Sequence, residues 1–180
     1  MGKRLTLILG GARSGKSAYA QKLAAEQGPS VLFVATAEPL DEEMAARIAR
    51  HRAERPDHWR TLEAPRRVGP AIDAQAGAAS VILLDCLSML AANVLASLDD
   101  SPDRTAGEEA LTEELDLLLS AYEQSPAEWI LVSNEVGMGI VPSHPLGRAF
   151  RDALGRAHQR FAARADSVYL LVAGLPLRLK

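Results

Sequence analysis

Short, unbroken apolar runs punctuate the chain: LTLIL (5–9), VLFVA (31–35), VILLD (81–85), WILVS (129–133) and VYLLV (168–172). Runs that are apolar at every position, rather than at every second one, suit strands covered on both faces, as in a parallel sheet between helices. Helix-compatible stretches fill most of the intervals, which predicts an α/β layered fold. In the tail AGLPLRLK, Gly174 and Pro176 let the chain turn so that 177–179 pair antiparallel at a sheet edge.

The longest interval has a different character. Between 99 and 128, ten acidic residues face one basic residue, Arg104, while Leu111, Leu115, Leu118, Leu119 and Tyr122 recur at helical spacing. This is an amphipathic helix with a solvated acidic face, preceded by an exposed loop, SLDDSPDRTAGEE. No repeat, low-complexity tract or linker divides the chain, and 180 residues suit a single domain, 1–180.

Composition narrows the classes. Apolar residues make up 48% and charged residues 24%, and the formal net charge of −3 gives no drive toward nucleic acid. One cysteine, Cys86, excludes an internal disulfide and a cysteine-clustered zinc site, and fits a reducing cytoplasm. The apolar run after the basic start is too short for a signal peptide, and no stretch reaches the roughly 20 apolar residues that span a bilayer.

The chemistry begins at GGARSGKS, residues 10–17, which satisfies G-x-x-x-x-G-K-[ST] between a strand and a helical pattern, SAYAQKLAAEQ. Here Gly10, Gly11, Ala12, Arg13, Ser14 and Gly15 would turn backbone N–H groups around phosphate oxygens, with the helix N-terminus aimed at the same place. Lys16 would reach the β- and γ-phosphates, and Ser17 would ligate Mg2+. The motif sharpens the fold class to an α/β P-loop NTPase (RecA-like), with a mostly parallel sheet flanked by helices and an antiparallel C-terminal edge hairpin. A second magnesium anchor belongs at the end of a neighbouring apolar strand, where VILLD delivers Asp85; the rival role for Asp85 is a helix cap. Cys86 beside it reads as a small core residue.

At the end of VLFVA, Ala35, Thr36 and Ala37 are small enough for a nucleotide to approach the backbone. Asp41 then caps a helix on which Met44, Arg47, Ile48, His51 and Arg55 share one face. His51 thus sits among arginines one short loop from the nucleotide. Asn134 and Glu135 follow WILVS at the same rim, and Gly137 with Gly139 suggests a mobile access loop. His58, His144 and His158 lack partner signatures.

Several of these segments are specific enough to carry a resemblance. ILGGARSGKSAYAQKLA, VATAEPLDEEMAARIARHR, RPDHWRTLEAP, SNEVGMGIVP and DSVYLLVAGLPLRLK together resemble the bifunctional adenosylcobinamide kinase and adenosylcobinamide-phosphate guanylyltransferase family of late cobalamin biosynthesis. The resemblance implies phosphorylation of the aminopropanol hydroxyl of adenosylcobinamide by ATP or GTP. GMP then passes from GTP through a histidine to the phosphorylated corrinoid, giving adenosylcobinamide-GDP. It matches His51 to the guanylylated histidine, residues 10–17 and 35–37 to GTP-binding segments, and Arg52, Ala53, Glu54, Arg55, Glu63 and Asp85 to further GTP contacts. It also implies a homo-oligomer, specifically a trimer. Chemistry agrees: attack on phosphorus needs a neutral imidazole, which neighbouring arginines favour, and those arginines would also stabilise the departing pyrophosphate. Two rivals remain at this point, a P-loop switch or motor acting on a protein partner and a simple kinase whose histidine only binds nucleotide.

Overall fold

The computed structural model describes residues 3–39, 41–53, 55–97 and 104–180. In chain order its elements are β1 (Leu5–Gly10), α1 (Lys16–Gln27), β2 (Val31–Ala35), α2 (Glu42–Ala53), β3 (Arg60–Glu63), α3 (Val68–Gln75) and β4 (Val81–Asp85). There follow α4 (Leu87–Ala96), α5 (Arg104–Gln124), β5 (Glu128–Asn134), α6 (Pro145–Arg164), β6 (Ser167–Val172) and β7 (Leu175–Arg178). The strands form one sheet, β3-β2-β4-β5-β1-β6-β7, parallel except for the β6–β7 pair.

All five apolar runs are strands, and their lack of alternation has the expected cause. Leu5, Leu7, Leu84, Trp129 and Leu131 pack on one face beneath α3, α4, α5 and α6. Ile8, Phe33, Leu83, Ile130 and Val132 pack on the other with Ala20 and Ala24 of α1. On α5 the four predicted leucines are buried, and Tyr122 meets Trp129 edge-on with ring centroids 5.8 Å apart.

Four expectations change. β3 and α3 are absent from the sequence reading: β3 is a four-residue edge strand in which only Leu62 is buried, so no apolar run marks it. Residues 104–109 belong to α5 rather than to the preceding loop, of which 98–103 lie outside the described residues. The tail hairpin pairs from Leu175, opposite Val172, two positions earlier than anticipated. Finally, β4 does not adjoin the phosphate-loop strand, because β5 lies between it and β1.

Candidate functional site

The carboxyl ends of β3, β2, β4, β5 and β1 form one rim. Register places Ala35 opposite both Glu63 and Asp85, and Gly10 opposite Asn134. Parallel strands end together at such a rim, which is why segments distant in sequence converge there.

The phosphate loop leaves β1 at Gly10, where a side chain would collide with the Leu171 carbonyl oxygen 2.6 Å away. Gly15 forms the N-cap of α1 at φ 93°, with Gly174 of the β6–β7 turn 3.0 Å from where a Cβ would stand. Gly174 also donates its N–H to the Ser14 carbonyl at 2.9 Å, so the tail hairpin braces the loop. The Lys16 ammonium lies inside the turn, buried, and donates to the Gly11 carbonyl at 2.6 Å. Ala12 and Arg13 are exposed on the outside of the loop.

Ser17, one residue on, hydrogen-bonds to Asp85 across the intervening β5. Burial pushes the Asp85 carboxyl above its usual range, while the Ser17 hydrogen bond and then the charges of His51, Lys16 and Arg55 pull it down. Those opposing influences identify the neighbours: Ser17 by a hydrogen bond, and Lys16, His51 and Arg55 within electrostatic reach of one carboxylate. Asp85 does not cap α4, whose N-cap is Cys86. Ser17 and Asp85 offer a hydroxyl and a carboxylate, the hard oxygen donors that magnesium takes together with substrate phosphates. No group of three or more His, Cys, Asp or Glu suited to a metal occurs among the described residues, so the remaining ligands would be phosphate oxygens and water.

Thr36 is buried and its hydroxyl is engaged: it donates to the Cys86 carbonyl and accepts from the Cys86 N–H, both at 2.8 Å. Asn93 donates to the Thr36 carbonyl at 2.7 Å. This network ties the ends of β2 and β4 together and holds Asp85 in place, a signal that sequence reading missed because Asn93 looks like an ordinary helix residue. With its N–H on the Asp85 carbonyl at 3.3 Å as well, Thr36 has its hydroxyl, N–H and carbonyl all engaged within the protein. The Cys86 thiol is buried and raised to about 11, first by burial and then by Asp85, so it is no nucleophile.

Asp41 caps α2 as expected, its carboxylate accepting from Met44 N at 2.7 Å. Three members of the anticipated stripe, Met44, Ile48 and His51, are half-buried while Glu43, Ala46 and Arg50 are exposed, and the side chain of Arg47 lies outside the described residues. Arg55 is not on this helix. It follows the helix end and lays its guanidinium over the Phe33 ring at 3.7 Å, donating to Thr61 at 3.4 Å. Burial lowers its pKa, and the nearby Asp85 charge opposes that shift. Arg52 instead pairs with Glu63 at 3.4 Å, both side chains exposed; Ala53 is exposed, and Glu54 lies outside the described residues.

The remaining histidines stand apart. His58 is exposed beside buried Trp59. His144 caps α6, accepting from Leu146 N at 3.3 Å. His158 shares a 2.7 Å hydrogen bond with buried Ser133, and burial lowers its pKa against the opposing charge of Glu135. A concavity on α5, lined by residues including Glu108, Glu113 and Asp116, shares no residue with the rim.

Known proteins resemble the chain over nearly its whole length. Residues 6–179 match the CobU family model, described as cobinamide kinase / cobinamide phosphate guanyltransferase. The chain is 45% identical to the bifunctional adenosylcobalamin biosynthesis protein CobU of Salmonella typhimurium, covering 98% of this chain and 99% of that protein. It is 47% identical to the corresponding protein CobP of Pseudomonas aeruginosa, over 97% of this chain and 96% of the relative.

Proposed function

Because the chain belongs to the CobU family of cobinamide kinases / cobinamide phosphate guanyltransferases, a bifunctional enzyme of cobalamin biosynthesis, we propose that one domain carries out both reactions at the rim around Lys16, Asp85 and His51. Membership removes the protein-switch alternative. The observation that carries the residue assignment is the convergence of Ser17, Lys16, His51 and Arg55 on Asp85.

In the first reaction the loop 10–17 holds the triphosphate of ATP or GTP, and Lys16 neutralises charge as the aminopropanol hydroxyl oxygen of adenosylcobinamide attacks the γ-phosphorus, the β–γ bridging bond breaks to release the nucleoside diphosphate, and the hydroxyl proton passes to solvent. Magnesium held by Ser17 and Asp85 would screen the phosphate oxygens. In the second, a ring nitrogen of His51 uses its lone pair to attack the α-phosphorus of GTP. The bond to the bridging oxygen breaks, and pyrophosphate leaves with the charge stabilised by Lys16 and Arg55. A phosphate oxygen of the phosphorylated corrinoid then attacks the same phosphorus, the P–N bond breaks, and His51 recovers its electron pair.

The small residues 35–37 lie where the nucleotide would pass, and Glu63 would accept the guanine N1 and N2 protons. Its exposed pair with Arg52 contributes little to stability, so a guanine edge displaces Arg52 at small cost. Assembly into a homo-oligomer, a trimer as the resemblance implies, is supported by β7, where Leu175 and Leu177 stand exposed on an edge strand. A cytoplasmic setting fits the lone buried cysteine.

The deciding experiment is incubation with GTP labelled at the α- or the γ-phosphate, followed by mass spectrometry. The α-label is expected on His51 as an acid-labile, alkali-stable adduct, and the γ-label is not. His51→Ala should lose the adduct and guanylyl transfer yet retain most kinase activity. Labelling of that variant, or of another residue in the wild type, would overturn the assignment and favour a kinase whose histidine only binds nucleotide.

A further inference from the structure

The segment after β5 leaves the middle of the sheet, between the strand ends that carry Asp85 and the phosphate loop. It turns an apolar surface outward: Met138 is 78%, Ile140 97% and Val141 60% exposed. Contiguous exposed apolar side chains mark contact surfaces, and this one is fastened at both ends. The Glu135 N–H donates to the Gly10 carbonyl of the phosphate loop at 2.9 Å. The Glu135 carboxylate accepts from Gly137 N at 2.7 Å and Met138 N at 3.2 Å. At the far end Arg148 donates to the carbonyls of Pro142 and Ser143 at 2.9 and 2.6 Å. The two glycines lie between these two anchor points.

We infer that Met138, Ile140 and Val141 form a preformed ledge that receives ring methyl groups of the corrinoid acceptor while its hydroxyl- or phosphate-bearing arm reaches the phosphate loop. The inference rests on the family activity and adds to it the surface on which the acceptor sits. The loop 10–17 and Asp85 are occupied by triphosphate chemistry and offer nothing to the methyl groups that stand between the amide arms of the large ring. Such a ring needs apolar area within one arm's length of the transferred phosphoryl group. The ledge begins three residues after Glu135, whose N–H donates to the Gly10 carbonyl, and its prior ordering lowers the entropy cost of binding.

Steady-state kinetics of adenosylcobinamide phosphorylation test this with the full chain. Met138→Ser/Ile140→Ser removes several contacting carbon groups and should raise the KM for the corrinoid about tenfold or more, with the KM for the nucleoside triphosphate held within about twofold. The sedimentation mass should not change, and Met138→Leu/Ile140→Val should restore a near wild-type corrinoid KM. If the double variant fails to fold, Ile140→Ser alone serves, since that side chain is 97% exposed and has little packing to lose. An unchanged corrinoid KM overturns the ledge while leaving the activity intact. A rise that accompanies a change in mass overturns it in favour of an interface between copies. Absence of corrinoid phosphorylation by the wild type would instead overturn the activity and the ledge with it.

Discussion

Lys16 is a long cation buried inside a turn of backbone, with its ammonium on the Gly11 carbonyl. It faces the phosphate loop rather than the core, so Lys16→Ala should leave the fold intact and lower both activities by about 10²-fold or more, the loss of a preorganised charge stabiliser. Assays of both steps on the folded variant check this, and near wild-type retention of either step argues against a shared site. Asp85→Asn should lower both rates and shift the magnesium titration to higher concentration, whereas an unchanged titration would leave Asp85 without a metal role. Cys86 behaves oppositely to a reactive thiol. Raised to about 11 from an ordinary 9.0, it remains protonated at neutral pH and should resist iodoacetamide in the folded protein. Between those values the unfolded chain holds fewer protons than the native one, so stability falls as pH rises through that window, by about 2–3 kcal/mol in all. Alkaline denaturation of the wild type against Cys86→Ala measures it.

α5 and α2 show how one pattern of charges can serve two ends. The acidic face of α5 is solvated in the main, yet Glu114 points inward and is 6% exposed. Its two oxygens accept from Arg67 N at 2.8 Å and Val68 N at 2.7 Å, capping α3, whose own N-cap residue supplies no side-chain bond. Glu114→Ala should therefore cost about 1–3 kcal/mol by denaturant unfolding, more than removal of any exposed acid of α5. α2 lies at the other extreme. None of its described side chains is buried, and Asp41 is its clearest local support. Asp41→Ala should cost about 1 kcal/mol and, by fraying the helix that carries His51, should slow GMP capture more than it slows the kinase step.

For the molecule as a whole, the candidate site spans α1 and β4, which share a core face, and α2, which has no buried side chain among those described. Ser17 lies in the first turn of α1, Asp85 ends β4, and His51 sits on the thinly packed α2. A triphosphate spanning these groups binds only the native arrangement, so GTP with magnesium at about 100 times its Kd should stabilise the fold by about 2.7 kcal/mol. Thermal unfolding with and without ligand reads this directly, and the shift should shrink in Lys16→Ala.

The sequence alone was enough for the strands buried on both faces, because continuous apolar runs have no other stable placement, and for the phosphate loop, because its glycines and lysine stand in a strand–turn–helix frame. The capped stripe of α2 was equally legible, since capping and helical periodicity are local. β3 and α3 escaped notice because they are short and borrow stability from neighbours: β3 from pairing with β2, and α3 from Glu114, 46 positions away from Val68. Only tertiary structure could insert β5 between Asp85 and the phosphate loop, draw Arg55 off the helix onto Phe33, pair Thr36 with Cys86, and fasten Glu135 to Gly10. Each of these joins groups whose attraction has no periodic trace along the chain. Such contacts exist only once strand order and register bring the ends of separate strands to one rim.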